Sequence, residues 1–544
     1  MARPPASAAA GAPGDHVYPD TYGIEPSVYA RRWQIHAVLC ISLVAVVAAV
    51  SSLNVAIPTI IEALEPSATE TLWIVDSYAL VFAGLLLPLG AIGDRHGRRR
   101  ALLVGIVIFA AMALVSAFVD SAGMLIASRA VMGIGAALIM PATLSIITNV
   151  FPRHERAKAI AAWAGLSGAG AAIGPVLSGL VLDIGWWWGA VFLINVPIAA
   201  VLFVLVWLRV PESKDPDGHA LDLVGSALSV VMLGTLVFGI IEAPDYGWGS
   251  GRVLTSLVVA AVAGLAFVAY ERRASQPMLD PQLFRIRGFS VGALTITSAF
   301  FCMFGTFYVL TLYLQFVKGY SPLGAAVRTL PQPFVVVLVA PRSPQLVARI
   351  GVHNTVRLGF ASLAAAFVLI SQFAVDTPYW LIVAALVFLA IGLAVMTAPT
   401  SSMIVGSLPQ AKAGVGSAVN DVTREVGGVL GIALMGSVLT SGYASKMATA
   451  LAGTPVPPEA NHAMQESIGV AFSVLDQGVA DGSLSPSAAE SVRAVSRQSF
   501  LTGNQHAFYI AAAVAVAGGL IAGSLLTKRT GEPTGERAPV PAAT

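Results

Sequence analysis

Apolar residues run along most of this chain in stretches of about 20, the length an α-helix needs to cross a hydrocarbon core. They lie at 36–60, 72–93, 101–119, 123–148, 157–183, 189–208, 220–241, 253–270, 288–317, 321–340, 353–374, 379–400, 411–440 and 506–527. Short polar or turn-forming segments separate them. The pattern predicts an all-α polytopic membrane protein of about 14 spans. Two polar regions stand outside it. Residues 1–35 are rich in Pro, Ala and Gly and are expected to be a disordered tail. Residues 443–505 are expected to form a long external loop, with helices at 459–477 and 486–500 around the turn 481-DGSLSPS-487. This loop reads as an ordered cap or as a gate over an outer vestibule.

Composition supports the same class. Hydrophobic residues make up 56% of the chain and charged residues 11%, against roughly 25% charged in a soluble domain. The net charge of +2 says little, but its placement says more. Basic residues cluster at 31–32, 95–100, 153–158, 209–214, 272–287, 342–349, 412 and 528–529. With alternating spans these all fall on one side, while Glu62, Glu65, Glu70, Asp120, Asp183, Glu242, Asp245 and Asp376 fall on the other. Positively charged loops stay inside, so both termini, including a tail at 528–544, are expected in the cytoplasm. Cys40 and Cys302 sit in apolar runs and imply no disulfide framework.

Several chemistries find no support. There is no G-x-x-x-x-G-K-[ST] loop for ATP, no H-E-x-x-H, no Cys/His cluster at metal spacing and no credible G-x-S-x-G nucleophile. The chain is therefore expected not to be an enzyme, to need no cofactor or metal and to bind no nucleic acid.

Charge inside the spans carries the functional argument. An ionisable residue within a span is costly and usually faces a partner or a watery cavity. Asp76 lies about 7.5 Å below the outer end of the second span. Arg129 lies near the outer third of the fourth. In 414-GVGSAVNDVTREVGGVLGIALMG-436, Asp421 and Glu425 are four residues apart and share a helical face, with Arg424 beside them. Two buried acids on one face disfavour double ionisation, which suits a carboxyl that takes and gives protons. An internally neutralised cluster is the competing reading, and Glu425 has Arg424 or Arg357 as candidate partners. Trp73, Tyr78, Phe301, Phe304, Phe307, Tyr308 and Met396 are candidate pocket walls, since aromatic faces bind cations and flat apolar molecules. In 90-GAIGDRHGRRRALL-103, Gly90, Gly93 and Gly97 permit a tight turn, Asp94 can pair with a cation, and Arg95 and Arg98 anchor the loop.

That loop resembles the signature loop of the major facilitator superfamily. Three further stretches resemble motifs of the same superfamily, in order. They are 125-LIASRAVMGIGAAL-138 with Arg129, 170-GAAIGPVLSG-179 with Gly170, Gly174, Pro175 and Gly179, and 192-FLINVP-197. The third is similar to the Gly-Pro motif of the antiporter branch, with Ser178 where glycine is usual. Residues 72–88 and 414–436 resemble the QacA-like multidrug exporters among the fourteen-span drug:proton antiporters. The resemblance implies two six-helix bundles, 36–210 and 288–527, with two inserted spans within 211–287. It implies that Asp76 helps to recognise cationic drugs and couple protons, that Arg129 modulates the protons, and that the 90–98 loop acts in gating. Ala49 stands where that subfamily often carries an Asp, which favours monovalent or neutral substrates. Ala348 marks a degenerate second copy of the signature loop. The expected protein is a monomeric inner-membrane exporter of amphiphilic drugs or natural products, driven by the proton gradient. The alternatives are an exporter dedicated to one metabolite, lipid or antibiotic, and a non-transporting receptor or assembly factor.

Overall fold

The computed structural model describes residues 24–214, 222–275, 277–408, 413–452 and 457–525. The first bundle is built from α1 (Pro26–Leu64), α2 (Ala68–His96), α3 (Arg98–Phe118), α4 (Ala122–Val150), α5 (Arg153–Asp183), the short α6 (Ala190–Leu193) and α7 (Asn195–Arg209). An inserted hairpin follows, with α8 (Leu223–Ile241), the short α9 (Ala243–Tyr246) and α10 (Gly251–Glu271). The second bundle contains α11 (Arg287–Leu312), α12 (Pro322–Thr329), α13 (Pro331–Val339), α14 (Ser343–Ser371), α15 (Tyr379–Gly406) and α16 (Ala413–Leu451). After α17 (Pro458–Glu466) and α18 (Ile468–Ala480), α19 (Pro486–Leu525) completes it. We call the face bearing α17 and α18 the outer face.

Local sequence explains the sharp turns. Glu65 ends α1 in the left-handed region, at φ 45°. Ser67 and Glu70 then form a reciprocal capping box that starts α2, satisfying two of its orphan N–H groups. Among the described residues, thirteen helical runs are long and apolar enough to cross a membrane. The longest, Pro322–Ser371, has 50 residues, about 75 Å as one helix and far more than a bilayer needs. It is two passes. Gly351, at φ 79°, reverses the chain. Ser343 Oγ on one side of it donates to Val395 O at 2.7 Å, and Gly359 on the other packs against Gly392 and Met396. Both segments therefore meet α15 at one level, and the described residues make fourteen passes, as the apolar pattern predicts.

Three expectations need correction. The polar tail ends earlier than residue 35, because Pro26 occupies the first turn of α1 and residues 26–35 are helical; residues 1–23 and 526–544 lie outside the described residues. In the external region, the predicted helix 459–477 breaks at Ser467, whose side chain caps Val470 N to begin α18. The predicted helix 486–500 is the opening of the 40-residue α19.

The inserted hairpin lies across the seam between α2 and α16. Gly84 of α2 packs against Val230, and Ser437 of α16 donates to Ile240 O at 2.7 Å. At the outer end, Trp73 Nε1 donates to Glu242 Oε1 at 3.2 Å, and Arg252 pairs with the same carboxylate at 3.4 Å.

Candidate functional site

The bundles are joined at their outer halves. Asp183, the last residue of α5, accepts from Ser321 Oγ at 2.8 Å and from Leu323 N at 3.2 Å. It thus helps cap the start of α12 in the opposite bundle. Gln315 Nε2 donates to Val55 O at 3.0 Å. Glu65 accepts from Ser473 Oγ and Gln477 Nε2 of α18, at 2.9 and 2.7 Å. Gly179 of α5 lies against the α12 backbone, where a methyl group would come within 2.7 Å of Leu323 Cα. Gly168 is about three turns inward on the same face of α5, and nothing stands within 4 Å of where its Cβ would be. The same is true of Gly165. The bundles therefore touch outside and part towards the inner face.

Asp76 sits at this seam, about 12 Å into α2 and deeper than the apolar pattern implied, because the capping box starts the helix earlier. It is completely buried, and neither carboxylate oxygen has a hydrogen-bond partner. Arg129 of α4 is also buried. Its Nε donates to Ile74 O at 2.6 Å, and its guanidinium lies 5.1 Å from the Tyr78 ring centroid. It lies within electrostatic range of Asp76 without forming an ion pair. On the other side, the Tyr308 phenol of α11 feels the Asp76 charge, and Tyr78 feels Glu425 of α16. The seam thus brings together Asp76, Arg129, Tyr78, Tyr308 and Glu425 from four helices and both bundles.

The α16 charges divide in a way the sequence left open. Among the described residues Arg424 makes no ion pair with Asp421 or Glu425. Its guanidinium lies 5.3 Å from the Phe300 ring centroid, and its Nε is buried without a partner. Asp421 is buried beside Asn420, whose Oδ1 accepts from Ser401 Oγ at 2.8 Å. The cluster is not internally neutralised by direct pairing. Arg357 is not a partner for Glu425 either: it donates to Gly523 O of α19 at 3.0 Å.

The remaining motif residues have defined places. Gly90 and Gly93 lie within α2 and pack against Pro141 and Ala101 instead of forming a turn. Gly97 makes the turn, at φ 128°. Asp94 pairs with Arg98 at 2.6 Å, while Arg95 sits in the exposed last turn of α2. Gly170 and Gly174 seat α5 against Val44 and Ala48 of α1, and Pro175 lies within α5 between that contact and Gly179. Among the candidate pocket residues, Phe304 packs on Gly428 and stacks with Phe300, and Phe307 is half-buried on α11. Two others lie off the seam. Met396 is buried in the α14–α15 contact at Gly359, and Trp73 faces Phe238 of the inserted hairpin. Ala49 is buried in the core of the first bundle.

Sequence reasoning missed Glu212. Its Oε1 accepts from Arg99 N at 3.1 Å and lies 2.9 Å from where a Gly97 Cβ would be. The signal was an acid directly after Val-Pro at the end of a span. Replacing Gly97 by Ala forces a positive φ on a side-chain-bearing residue and crowds Glu212. It should cost about 1–3 kcal/mol, read as a fall in the thermal unfolding midpoint of the purified protein.

A sequence profile described as Major Facilitator Superfamily matches residues 39–432. The chain belongs to that superfamily. Among curated proteins, it is 36% identical to the "Multidrug efflux pump LfrA" of Mycolicibacterium smegmatis, over 82% of this chain and 87% of that one. It is 32% identical to the "Tetracenomycin C resistance and export protein" of Streptomyces glaucescens, over 94% and 95%. Among solved structures, an inward-facing, unoccupied bacterial homologue of the human lysosomal transporter Spinster matches with TM-score 0.61 at 16% identity. It covers 93% of this chain and 100% of that one. An auto-inhibited POT family peptide transporter matches with TM-score 0.58 at 18% identity, over 89% and 96%. These likenesses establish the major facilitator fold of a multi-pass membrane protein. Within that fold, Asp76 and Glu425 lie in electrostatic range of tyrosines of the opposite bundle, with Arg129 behind Asp76 in the first bundle and Arg424 against Phe300 in the second.

Proposed function

We propose that this chain is a proton-coupled exporter of amphiphilic drugs or natural products, cationic or neutral, acting as a monomer in the cytoplasmic membrane with both termini inside. The observation that carries the reading is Asp76, completely buried at the bundle seam with neither oxygen partnered. A carboxylate there is strongly disfavoured, whereas a carboxylic acid is tolerated. The outer-closed arrangement therefore holds a proton at Asp76, and substrate arriving from the inner opening displaces it. Relatives named as multidrug efflux, methylenomycin A resistance and tetracenomycin C resistance proteins supply the direction of transport.

A cationic dye added to purified wild-type protein in weakly buffered detergent near neutral pH should release on the order of one proton per dye bound. Binding without proton release would remove the coupling. The two relatives named for single antibiotics favour a second reading, a dedicated exporter. Protection of cells against quaternary ammonium biocides, cationic dyes and neutral polycyclic compounds supports the multidrug reading, and protection against one chemotype supports the dedicated one.

A further inference from the structure

A small cavity of about 30 Å³ lies directly outside the seam, beneath α17 and α18. Its polar lining comes from Thr71 of α2, Tyr308 of α11, Thr440 and Tyr443 of α16, and Glu466 and Ser467 of the external region. That volume accommodates one or two waters, and the lining supplies the two to four polar partners a buried water needs. Tyr308 bounds the cavity on one side and lies within electrostatic range of Asp76 on the other. Asp76 itself is completely buried and unpartnered.

Glu466 stands at the outer end of this arrangement. It is the last residue of α17, and the Tyr443 hydroxyl holds that end of the helix by donating to Met464 O at 2.9 Å. His462 lies one turn back, with Nδ1 3.5 Å from Glu466 Oε1. Asp245 of α9 and Glu70 of α2 face the same carboxylate. Two further acids and an imidazole, from α9, α2 and α17, thus act on the Glu466 carboxylate. Burial lifts the Glu466 carboxyl above the ordinary range, His462 opposes the shift, and Asp245 and Glu70 add to it.

We infer that Glu466 is the external proton port of the transporter: it takes a proton from outside and hands it through the cavity, past Tyr308, to Asp76. The inference rests on the proton-coupled reading above. Glu466 loses its proton to a cavity water, the water passes one on to the Asp76 carboxylate, and the medium reprotonates Glu466. In the outer-closed state the Tyr308 side chain interrupts the path, so protons do not leak inward. When the bundles part outside, the obstruction is lifted.

The test is dye transport by the full chain in proteoliposomes, with the outer-side pH varied. E466Q should slow transport about 10-fold at outer pH near 7.5 and recover near pH 5.5, where protons no longer need collecting. E466D should behave like wild type. T71V, which removes one hydroxyl from the cavity wall, should show the same pH-selective loss without touching the carboxylate. Dye-induced proton release by detergent-solubilised E466Q should persist, because Asp76 is intact. An unchanged pH profile in both E466Q and T71V would overturn the port, as would an equal loss at every outer pH. If wild-type protein itself releases no proton on binding dye, the coupled reading fails first, and that outcome is distinct from a failure of Glu466.

Discussion

Asp76→Asn is expected to give a folded protein that binds dye and releases no proton. The substitution keeps the shape of the side chain and removes its ability to ionise. Because neither Asp76 oxygen has a partner, no ion pair is broken in making it. The loss should therefore fall on driving force and not on stability. One charge moving through about 100 mV is worth about 2.3 kcal/mol, or about 50-fold in accumulation. Vesicles containing the variant should lose concentrative export of that order while retaining downhill exchange. Arg129→Ala should behave differently. Arg129 is buried, holds the Ile74 carbonyl at 2.6 Å and supplies the positive field at Asp76. Removing it leaves the Ile74 carbonyl without its donor and a void beside the Tyr78 ring, which costs about 2–5 kcal/mol and should lower the amount of folded protein. Full proton release from Asp76→Asn would move the coupling to α16, where Asp421→Asn and Glu425→Gln would then have to abolish it.

The parts of this site that were legible in the sequence share one property: they are charges in an apolar background. Asp76, Arg129 and the α16 trio stand out because a lipid-spanning helix penalises each of them. Their faces follow from helical geometry alone, while the depth of Asp76 also needed the true start of α2 at the Ser67–Glu70 capping box. Whether Arg424 neutralised its neighbours was not legible. That depends on Phe300 and Ser401, which come from α11 and α15. Glu212, Glu242 and Glu466 were hidden for the opposite reason. An acid in a polar connection carries no signal until the fold shows what it touches. Glu212 meets the start of α3, Glu242 joins Trp73 to Arg252, and Glu466 faces a cavity. The fourteen-pass pattern was legible from apolar length, whereas the break at Ser467 was not, because neither Gly nor Pro stands at 464–468 to mark it.

The outer contact offers the second large effect. Gly436 of α16 lies where α2 and α11 converge. A Cβ there would overlap Leu72 Cδ2 and approach Tyr308 Cε1 to 3.3 Å. Leu72 belongs to the first bundle, and Tyr308 to the second. A valine at 436 therefore acts as a wedge in the closed outer half, and the wedge is relieved when the bundles part outside. Overpacking of this kind costs about 1–3 kcal/mol. Applied to one of two states, it shifts their ratio about 5- to 150-fold. Both native cysteines are buried, so a Thr440→Cys reporter in the cavity wall can be read with a membrane-impermeant thiol reagent. Adding Gly436→Val to that reporter should speed labelling from outside by at least about 10-fold and depress export. Gly431→Val provides the contrast. Its Cβ would strike the Phe301 carbonyl within the second bundle, a contact that persists in both states, so it should lower stability without exposing residue 440. Equal labelling with and without Gly436→Val, in protein that remains folded, would mean that the Leu72–Gly436–Tyr308 contact is not the outer seal.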